Sequence, residues 1–391
     1  MAENASGTEN GGKLDAFGIQ LTADRSVYST GDVITGEVVL ELRDATKLKE
    51  ISVRIQGIGS VEWQGGCSID CREILSIRTN HKGSETYLDQ RLSLFGNENS
   101  KSDSIDDAQE LSGGAHAFFF EFQIPDKDLP CSYESRYGYV RYFITATIHK
   151  PWKHNHVTKR AFTVLGEPLD LNNDDGAKTP VSIQTSKTPN LCAHCLAGHV
   201  TFDVKIPRTV YCCGERIILN ANIENQTRRR IEMTKATLVQ YTTYHSTRSR
   251  KTVAENVQIV DGDGIEPEAS LSWTDAQIDI PPLPPTELKY CTVIDIQYEL
   301  KFSAVFGKGL LNTTSIRIPL KLGNVPIKSS STGKQSGEHA CQTSTNLTAP
   351  SYGTCVKGSR DIRDKNDTNF VMGHLSFTPT YIIHPSQTTY I

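Results

Sequence analysis

A phrase near the start of the chain returns 183 residues further on. Residues 25–42 read RSVYSTGDVITGEVVLEL, and residues 208–225 read RTVYCCGERIILNANIEN. An internal repeat means that one structural unit is present twice, so both copies must fold into the same architecture. The residue after the shared glycine is acidic in both copies, Asp32 and Glu215. Identical residues at this offset include Arg25 and Arg208, Val27 and Val210, Tyr28 and Tyr211, Gly31 and Gly214, and Ile34 and Ile217.

Alternating apolar and polar residues predict the secondary structure of both copies. Residues 51–57, 140–146 and 296–302 alternate with a period of two and are rich in β-branched and aromatic side chains. This pattern is typical of half-buried antiparallel strands, and turn residues interrupt it repeatedly. The sequence therefore predicts an all-β fold of two tandem immunoglobulin-like β-sandwiches.

Further correspondences place the boundaries of the two sandwiches. An Ile-Pro pair precedes an alternating strand in each copy, at Ile124-Pro125 and at Ile280-Pro281, and each copy closes on a Leu-Gly pair. We therefore expect one sandwich over residues 14–168 and the other over residues 196–327. A chain of 391 residues is long enough to bury two such cores.

The remaining segments are polar. Residues 1–13 are small and polar, and we expect them to be disordered. Residues 169–195, which contain many Asp, Thr and Pro residues, are expected to form a linker. Residues 328–391, called the tail below, soon read SSSTGKQSGEH and stay polar, so we expect a disordered C-terminal tail.

Charge and hydropathy exclude some classes of function. The net charge of −4 gives no electrostatic support for a nucleic-acid partner. No apolar run is long enough for a signal peptide or a membrane span. We therefore expect a cytoplasmic protein whose ten cysteines stay reduced.

Several phrases, in a fixed order, carry a resemblance to a known family. Over residues 14–327 the chain resembles an arrestin, and specifically the α-arrestin, or arrestin domain-containing, branch. The phrases are Val27-Tyr28-x-x-Gly31-Asp32, Leu129-Pro130, Gly138-x-Val140-Arg141-Tyr142, His149-Lys150-Pro151-Trp152, Trp273, Ile280-Pro281-Pro282-Leu283-Pro284-Pro285, Cys291, Ile296-x-Tyr298-x-Leu300, and residues 319–327.

The resemblance implies an adaptor protein. In this family the two arrestin domains hold membrane-protein cargo, such as the cytoplasmic tails of receptors and transporters. The tail usually carries Pro-Pro-x-Tyr motifs that bind WW domains of HECT-type ubiquitin ligases. The implied result is ubiquitination, endocytosis and protein transport of the cargo, with the adaptor recruited from the cytoplasm to the plasma membrane or endosomes.

The tail departs from the family's ligase-binding pattern. A Pro-Pro pair favours the polyproline II conformation that WW domains bind, but no Pro-Pro-x-Tyr sequence occurs in the chain. The tail instead holds Pro350 and Tyr352 in Ala-Pro-Ser-Tyr, and Pro379 and Tyr381 in Thr-Pro-Thr-Tyr. Weak WW docking is one interpretation of these sites. The alternative is a signalling scaffold that acts without a ligase.

Two basic clusters are candidate partner-binding surfaces. Arginine and lysine on a sandwich face can hold acidic or phosphorylated cargo segments through charge-assisted hydrogen bonds, or bind anionic lipid at the membrane surface. The alternative for each cluster is a solvated strand face or hairpin tip. The clusters are Lys150, Lys153, Lys159 and Arg160, and Arg228, Arg229 and Arg230.

A short cysteine motif raises the possibility of a metal site. Cys192 and Cys195 have the Cys-x-x-Cys spacing of zinc ligands, with His194 and His199 nearby. No second Cys-x-x-Cys pair follows, which favours free thiols over a zinc-dependent module.

The resemblance also provides a test for redox function, because the thioredoxin-binding member has a cysteine three residues before the tryptophan that matches Trp273. That position is Ser270 here, so a mixed disulfide cannot form at it.

The sequence contains no recognised catalytic motif. Gly-x-Ser-x-Gly, P-loop and His-Glu-x-x-His sequences are all absent, so we expect neither an enzyme nor a bound cofactor.

The proline run over 281–285 could bind an SH3 domain. Its place between two predicted strands favours a structural connector, since prolines end strand pairing.

Overall fold

The structure is a computed structural model, which describes residues 14–67, 77–96, 108–151, 154–189, 198–307, 312–326, 351–363, 367 and 371–384. The predicted N-terminal segment 1–13 lies outside these ranges. Over the described part of the chain, the regular elements are strands and two short 3-10 turns, Thr22–Asp24 and Asp175–Ala177. The prediction of an all-β protein is confirmed. No helix in the described ranges has the length and hydropathy needed to cross a bilayer.

The described residues form two compact units. The first contains the described residues up to Ser60 and those within Ser84–Gly166 and the tail stretch Ser359–Thr378. Its strands are β1 Leu14–Leu21, β2 Val27–Tyr28, β3 Val33–Leu42, β4 Thr46–Leu48, β5 Glu50–Cys67, β6 Ile77–Gly96, β7 Gln109–Leu111, β8 Gly114–Gln123, β9 Tyr133–Glu134, β10 Gly138–His149 and β11 His156–Val164. The end of β5, residues 61–67, and the start of β6, residues 77–83, belong to the second unit.

The first unit is a sandwich of two sheets. One sheet has the strand order β1-β3-β8, and the other has the order β2-β11-β10-β5-β6, with β9 paired to β10. A small separate ladder joins β4 to β7. Strand β3 buries every second residue, including Ile34, Val38 and Leu40. Facing strand β5 buries Ile51, Val53 and Ile55, and these two inner faces form the core.

The second unit repeats the arrangement. It contains the described residues within Val61–Gly83 and Glu167–Gly358, and the described tail from Pro379. The sheets have the orders β12-β13-β15-β18 and β14-β20-β19-β16-β17. Its strands are β12 Val181–Lys187, β13 Val200–Ile206, β14 Val210–Cys212, β15 Arg216–Asn225, β16 Met233–His245, β17 Arg250–Gly262, β18 Ala269–Asp279, β19 Ile294–Val305 and β20 Thr313–Gly323.

The repeated phrase builds a fixed local structure in the first unit. The Arg25 guanidinium lies 4.6 Å from the centroid of the Tyr28 ring and pairs with the Asp32 carboxylate. The other role of Asp32 is to accept a hydrogen bond from Ser29 N at 2.8 Å. Gly31 occupies the turn with φ of +80°, a conformation that glycine adopts without strain.

The second copy reproduces this structure in the second unit. Arg208 lies 4.7 Å from the Tyr211 centroid and pairs with Glu215 at 2.9 Å. Glu215 accepts a hydrogen bond from Cys212 N at 2.7 Å, and Gly214 has φ of +88°. The acidic residue is one methylene longer, yet it makes the same two contacts. The repeat in sequence is therefore a repeat in structure.

Each copy pairs its first short strand with its last long strand. In the first unit β2 runs parallel to the end of β11, with Val27 opposite Thr163. In the second unit β14 runs parallel to the end of β20, with Val210 opposite Lys321. The shared tyrosine therefore sits at the border of a sheet, with its ring buried beneath it.

Part of the predicted linker belongs to the second sandwich. Val181–Lys187 forms the edge strand β12, which pairs along its whole length with β13. The preceding stretch is also attached, because Leu169 N donates to Asn324 Oδ1 at 2.5 Å and Lys321 Nζ lies 2.6 Å from Asp174. The alternating residues Val181, Ile183 and Thr185 explain the strand.

The predicted disordered tail contains short strands. They are β21 Ser351–Thr354, β22 Arg360–Asp361, β23 Val371–His374, β24 Ser376–Phe377 and β25 Thr380–Ile383. Cys355, Ile362, Phe377 and Tyr381 are buried, and burial of such side chains offsets the entropy lost on ordering the segment. The rest of the tail, residues 328–350, 364–366, 368–370 and 385–391, lies outside the described residues.

Candidate binding surfaces and the docked tail

The border of strand β11 receives an extended segment in the first unit. Strand β23 of the tail runs parallel to β11, with Val157 opposite Val371 and Arg160 opposite His374. Gly373 has φ of +102°, and a Cβ at this position would lie 2.5 Å from Lys159 O. A glycine is therefore needed where the tail approaches the strand. The border of β11 is a surface on which an extended peptide adds to a sheet.

A buried ion pair fixes the tail beside this border. Lys159 on β11 is buried, and its Nζ lies 2.7 Å from Asp367 Oδ2 and 5.6 Å from the centroid of the Phe143 ring. A buried ammonium group needs a partner because burial removes its hydration. Asp367 provides that partner from a position 208 residues later in the chain. The border of β11 therefore holds an extended segment of the tail together with its acidic side chain.

A second buried ion pair, Arg141 with Glu134, also contacts the tail. Arg141 on β10 donates two hydrogen bonds to Glu134 on β9, at 2.6 Å and 2.9 Å. Its guanidinium lies 4.0 Å from the Tyr139 ring centroid and donates to the tail carbonyl Ile362 O at 3.4 Å. Burial raises the pKa of Glu134, and the hydrogen bonds from Arg141 oppose that rise. The short β9–β10 ladder aligns the two side chains.

The end of the described tail contacts the second unit. Strands β21 and β25 form an antiparallel ladder in which Gly353 is opposite Tyr381. Beyond the ladder, His384 N donates to Cys213 O at 2.7 Å, and His384 Nε2 lies 3.0 Å from Asn324 O. Lys357 pairs with Glu255 of β17. The tail therefore has a separate attachment in each unit.

The cysteines near this attachment are structural. Cys213 Sγ donates to Leu283 O and accepts from Leu283 N, both at 3.3 Å. Burial raises the pKa of Cys212 and of Cys213 to about 12, and it also raises the pKa of Cys355. Such thiols stay protonated near neutral pH, and a protonated thiol is a weak nucleophile.

The first predicted basic cluster is divided by the strand. Lys159 and Arg160 are neighbours on β11 and point to opposite sides of it. Arg160 pairs with Asp24 and donates weakly to Ile19 O at 3.5 Å. Lys150 lies in the turn before β11, where its N donates to Asn155 Oδ1 at 3.4 Å. Lys153 lies outside the described residues. Its role in partner binding remains a prediction, as does that of the other three.

The second predicted basic cluster lies in the turn after β15. Arg229 donates to Phe306 O at 3.1 Å and so has a structural contact. Arg230 forms an exposed pair with Glu266 at 3.1 Å, and Arg228 is exposed. These geometries leave Arg228 and Arg230 accessible to an anionic partner.

The two predicted Pro-x-Tyr sites differ in exposure. Pro350 lies outside the described residues, whereas Tyr352 is 46% exposed. Pro379 is buried, and its carbonyl accepts a hydrogen bond from Cys355 N at 2.9 Å. Tyr381 is only 3% exposed. The second site is therefore part of a packed ladder.

Other predicted sites have simpler outcomes. Cys192, His194 and Cys195 lie outside the described residues, and no group of three or more metal-ligating side chains comes together within those that are described. The proline run connects β18 to β19, with Leu283 buried and Pro284 O accepting from Tyr298 Oη at 2.8 Å.

The sequence interpretation did not find Glu134, Asp367 or Gly373. Apart from the glycine, no local pattern distinguishes them.

Comparisons with known proteins agree on one family. Residues 17–172 match the family described as "Arrestin (or S-antigen), N-terminal domain", and residues 197–327 match its C-terminal domain. Arrestin domain-containing protein 4 of Homo sapiens is 30% identical over 322 residues, covering 81% of this chain and 72% of that protein. Thioredoxin-interacting protein of Mus musculus is 25% identical over 288 residues, covering 74% of this chain and 68% of that protein.

Proposed function

The chain belongs to the α-arrestin branch of the arrestin family, and from that premise we propose that it is a cytoplasmic adaptor for membrane-protein cargo. Its partners are the cytoplasmic tails of transmembrane receptors or transporters. The adaptor then links this cargo to ubiquitination, endocytosis and transport, at the plasma membrane or on endosomes. The observation that carries the proposal is the border of β11, where an extended segment is already bound.

The chemistry of this border defines the cargo segment. Parallel pairing with β11 uses main-chain hydrogen bonds, so it accepts a cargo strand of any sequence. The buried Lys159 also requires an anionic group beside that strand. We therefore expect an extended cargo segment with a carboxylate or phosphate near its start, which takes the position of Asp367. A small residue at the position of Gly373 is also required.

Competition between cargo and tail provides the experiment. Acidic peptides from cytoplasmic tails of membrane proteins would be assayed against the full chain by fluorescence anisotropy. Asp367→Asn weakens the bound tail, so it should raise cargo affinity several-fold. Lys159→Met removes the anion partner and should lower it. Lys205→Met, at an exposed lysine of β13, is the matched control. Equal affinities for all four proteins, or no membrane-protein tail bound by any of them, would contradict the proposal.

Anionic lipid is a secondary partner in this proposal. Arg228 and Arg230 are exposed on one turn, and each basic residue near an anionic surface contributes about 1 kcal/mol of binding. Co-sedimentation with phosphatidylserine vesicles should fall when both are replaced by serine. Unchanged sedimentation would remove the membrane from this part of the proposal.

Ligase-independent scaffolding is the second candidate function. The buried Pro379 and Tyr381 favour it, since a WW domain needs both side chains exposed. A synthetic peptide of residues 345–391 distinguishes the two functions. Micromolar binding to WW domains of HECT-type ligases, about −8 kcal/mol, would support the ligase link, and undetectable binding would support the scaffold.

A further inference from the structure

We propose that the second sandwich carries a docking site for an extended segment, formed by Cys213, Gly214 and Asn324, and that residues 380–384 of the tail occupy it. Occupancy of this site withdraws Pro379 and Tyr381 from WW domains. The consequence for WW domains rests on the proposed adaptor function, whereas the docking site itself does not. The ligand class is a β-strand with consecutive β-branched residues followed by a histidine.

The site holds both the main chain and a side chain of its ligand. Strand β14 ends at Cys212, and the turn that follows offers the carbonyl of Cys213 to His384 N at 2.7 Å. The imidazole Nε2 of His384 lies 3.0 Å from Asn324 O, just after β20. The two carbonyls directly follow the ends of the parallel strands β14 and β20 at the border of the sheet. They fix the position of the segment end.

Gly214 makes room for the segment. A Cβ on Gly214 would overlap Ile383 Cγ2 and would lie 2.9 Å from His384 O. The matching glycine of the first sandwich, Gly31, has nearly the same φ, but its Cβ would meet nothing nearer than Asp126 Cβ at 3.7 Å. Only the second copy of the repeat therefore uses this glycine for close approach of another segment.

The docked segment cannot also bind a WW domain. WW recognition takes a polyproline II segment with exposed proline and tyrosine rings. Here Tyr381 is buried within strand β25, which is paired to β21, and Pro379 is buried with its carbonyl occupied. On the facing strand, the side chain of Tyr352 is exposed, although its backbone pairs with Ile382. Release of β25 is therefore required before residues 378–381 can be recognised.

Hydrogen exchange measured by mass spectrometry on the full chain tests the docking. Gly214→Ala should raise the exchange rate of amides 380–384 at least tenfold, because the new methyl group displaces Ile383. Gly31→Ala is the matched control, since φ is also positive there and the new methyl group would make only ordinary van der Waals contact with Asp126. Unchanged protection of 380–384 in Gly214→Ala would overturn the proposal, as would equal loss in both variants.

A second pair of variants leaves the sandwich unaltered. Ile383→Asp places a charge in the site from the tail side and should release the segment to the same extent as Gly214→Ala. Val356→Asp is its control, because Val356 is an exposed tail residue. Release by Val356→Asp as well, or protection retained in Ile383→Asp, would contradict the assigned site.

The WW consequence has its own measurement. The probe is an isolated WW domain from a HECT-type ligase, titrated with a synthetic peptide of residues 374–387 and with the full chain. The full chain should bind at least tenfold more weakly than the peptide, and Gly214→Ala should remove most of that difference. Equal affinity of the full chain and the peptide would contradict the proposal that docking prevents WW binding. If the peptide itself does not bind, residues 378–381 are not a WW site, which also counts against ligase recruitment by the tail. Hydrogen exchange still decides whether the segment docks.

Discussion

Arg141 and Glu134 form a buried ion pair with two hydrogen bonds, on adjacent strands that share a register. The pair lies under the docked tail, and Arg141 also contacts the tail carbonyl at Ile362. Each charge has lost its hydration, so each depends on the other. The first unit therefore links its own stability to the surface that binds the tail.

Breaking this pair should strongly destabilise the first unit. Glu134→Gln removes the carboxylate that accepts two hydrogen bonds from the buried Arg141 guanidinium, at a cost of about 3–5 kcal/mol. Urea denaturation with linear extrapolation measures the change. Asp89→Asn is the control, because Asp89 pairs with Arg54 at the surface and such pairs contribute about 0–1 kcal/mol. Similar losses in both variants would contradict this account of Arg141.

Neighbouring phenylalanines of β8 should respond in opposite ways. Phe120 is 1% exposed and Phe119 is 61% exposed, because successive side chains of a strand face opposite sides. Phe120→Ala should cost about 3–5 kcal/mol of unfolding free energy, whereas Phe119→Ala should change it by about 0.5 kcal/mol or less. Thermal and urea unfolding measure both changes. A large loss in Phe119→Ala would mean that this side of β8 is covered.

The buried thiols of the second unit should resist alkylation. Because burial raises the pKa of Cys212 and Cys213 to about 12, almost none of either thiol is ionised at pH 8. Iodoacetamide labelling followed by peptide mass spectrometry should find both residues unmodified in folded protein, after the half-buried Cys291 has reacted. Both should react in concentrated urea. Rapid labelling of Cys213 in the folded chain would refute the burial.

Acid should weaken the first unit through His149. Burial lowers the pKa of His149, with smaller contributions from Arg91 and Lys49 in the same direction and from Glu50 in the opposite one. Between this lowered pKa and the ordinary value near 6.5, the unfolded chain binds more protons than the folded chain, so stability rises with pH in that window. Urea midpoints at pH 5 and pH 7.5 should differ in wild type and differ less in His149→Gln. His154→Gln replaces an exposed histidine with the same residue and is the matched substitution.

The sequence predicts the two sandwiches because their signals are local and repeated. In strands such as β3 and β15, the alternation of buried and exposed side chains is visible within ten residues. The shared Arg-x-x-Tyr-x-x-Gly phrase also predicts a turn from local residues alone. The same alternation also predicts that Lys159 and Arg160 lie on opposite sides of β11. Treating them as one cluster overlooked the period of the strand.

The docked tail is not predictable from local pattern. Its strands contain two to four residues, too few for a period to emerge, and its order comes from partners about two hundred positions away. Strand β12 has enough alternation to be found, but polar residues on both sides of it conceal the signal. Of the residues missed at the binding surfaces, Asp367 and Gly373 acquire their roles only through such distant contacts.

The parallel pairing of β2 with β11, and of β14 with β20, joins an early strand of each sandwich to its last long strand. Each of these sheets is therefore complete only when both the early and the late part of its own sandwich are present. The same closure sets a rule for dissection: a fragment that omits either Val27–Tyr28 or Thr163–Val164 leaves the border of its sheet without a neighbour.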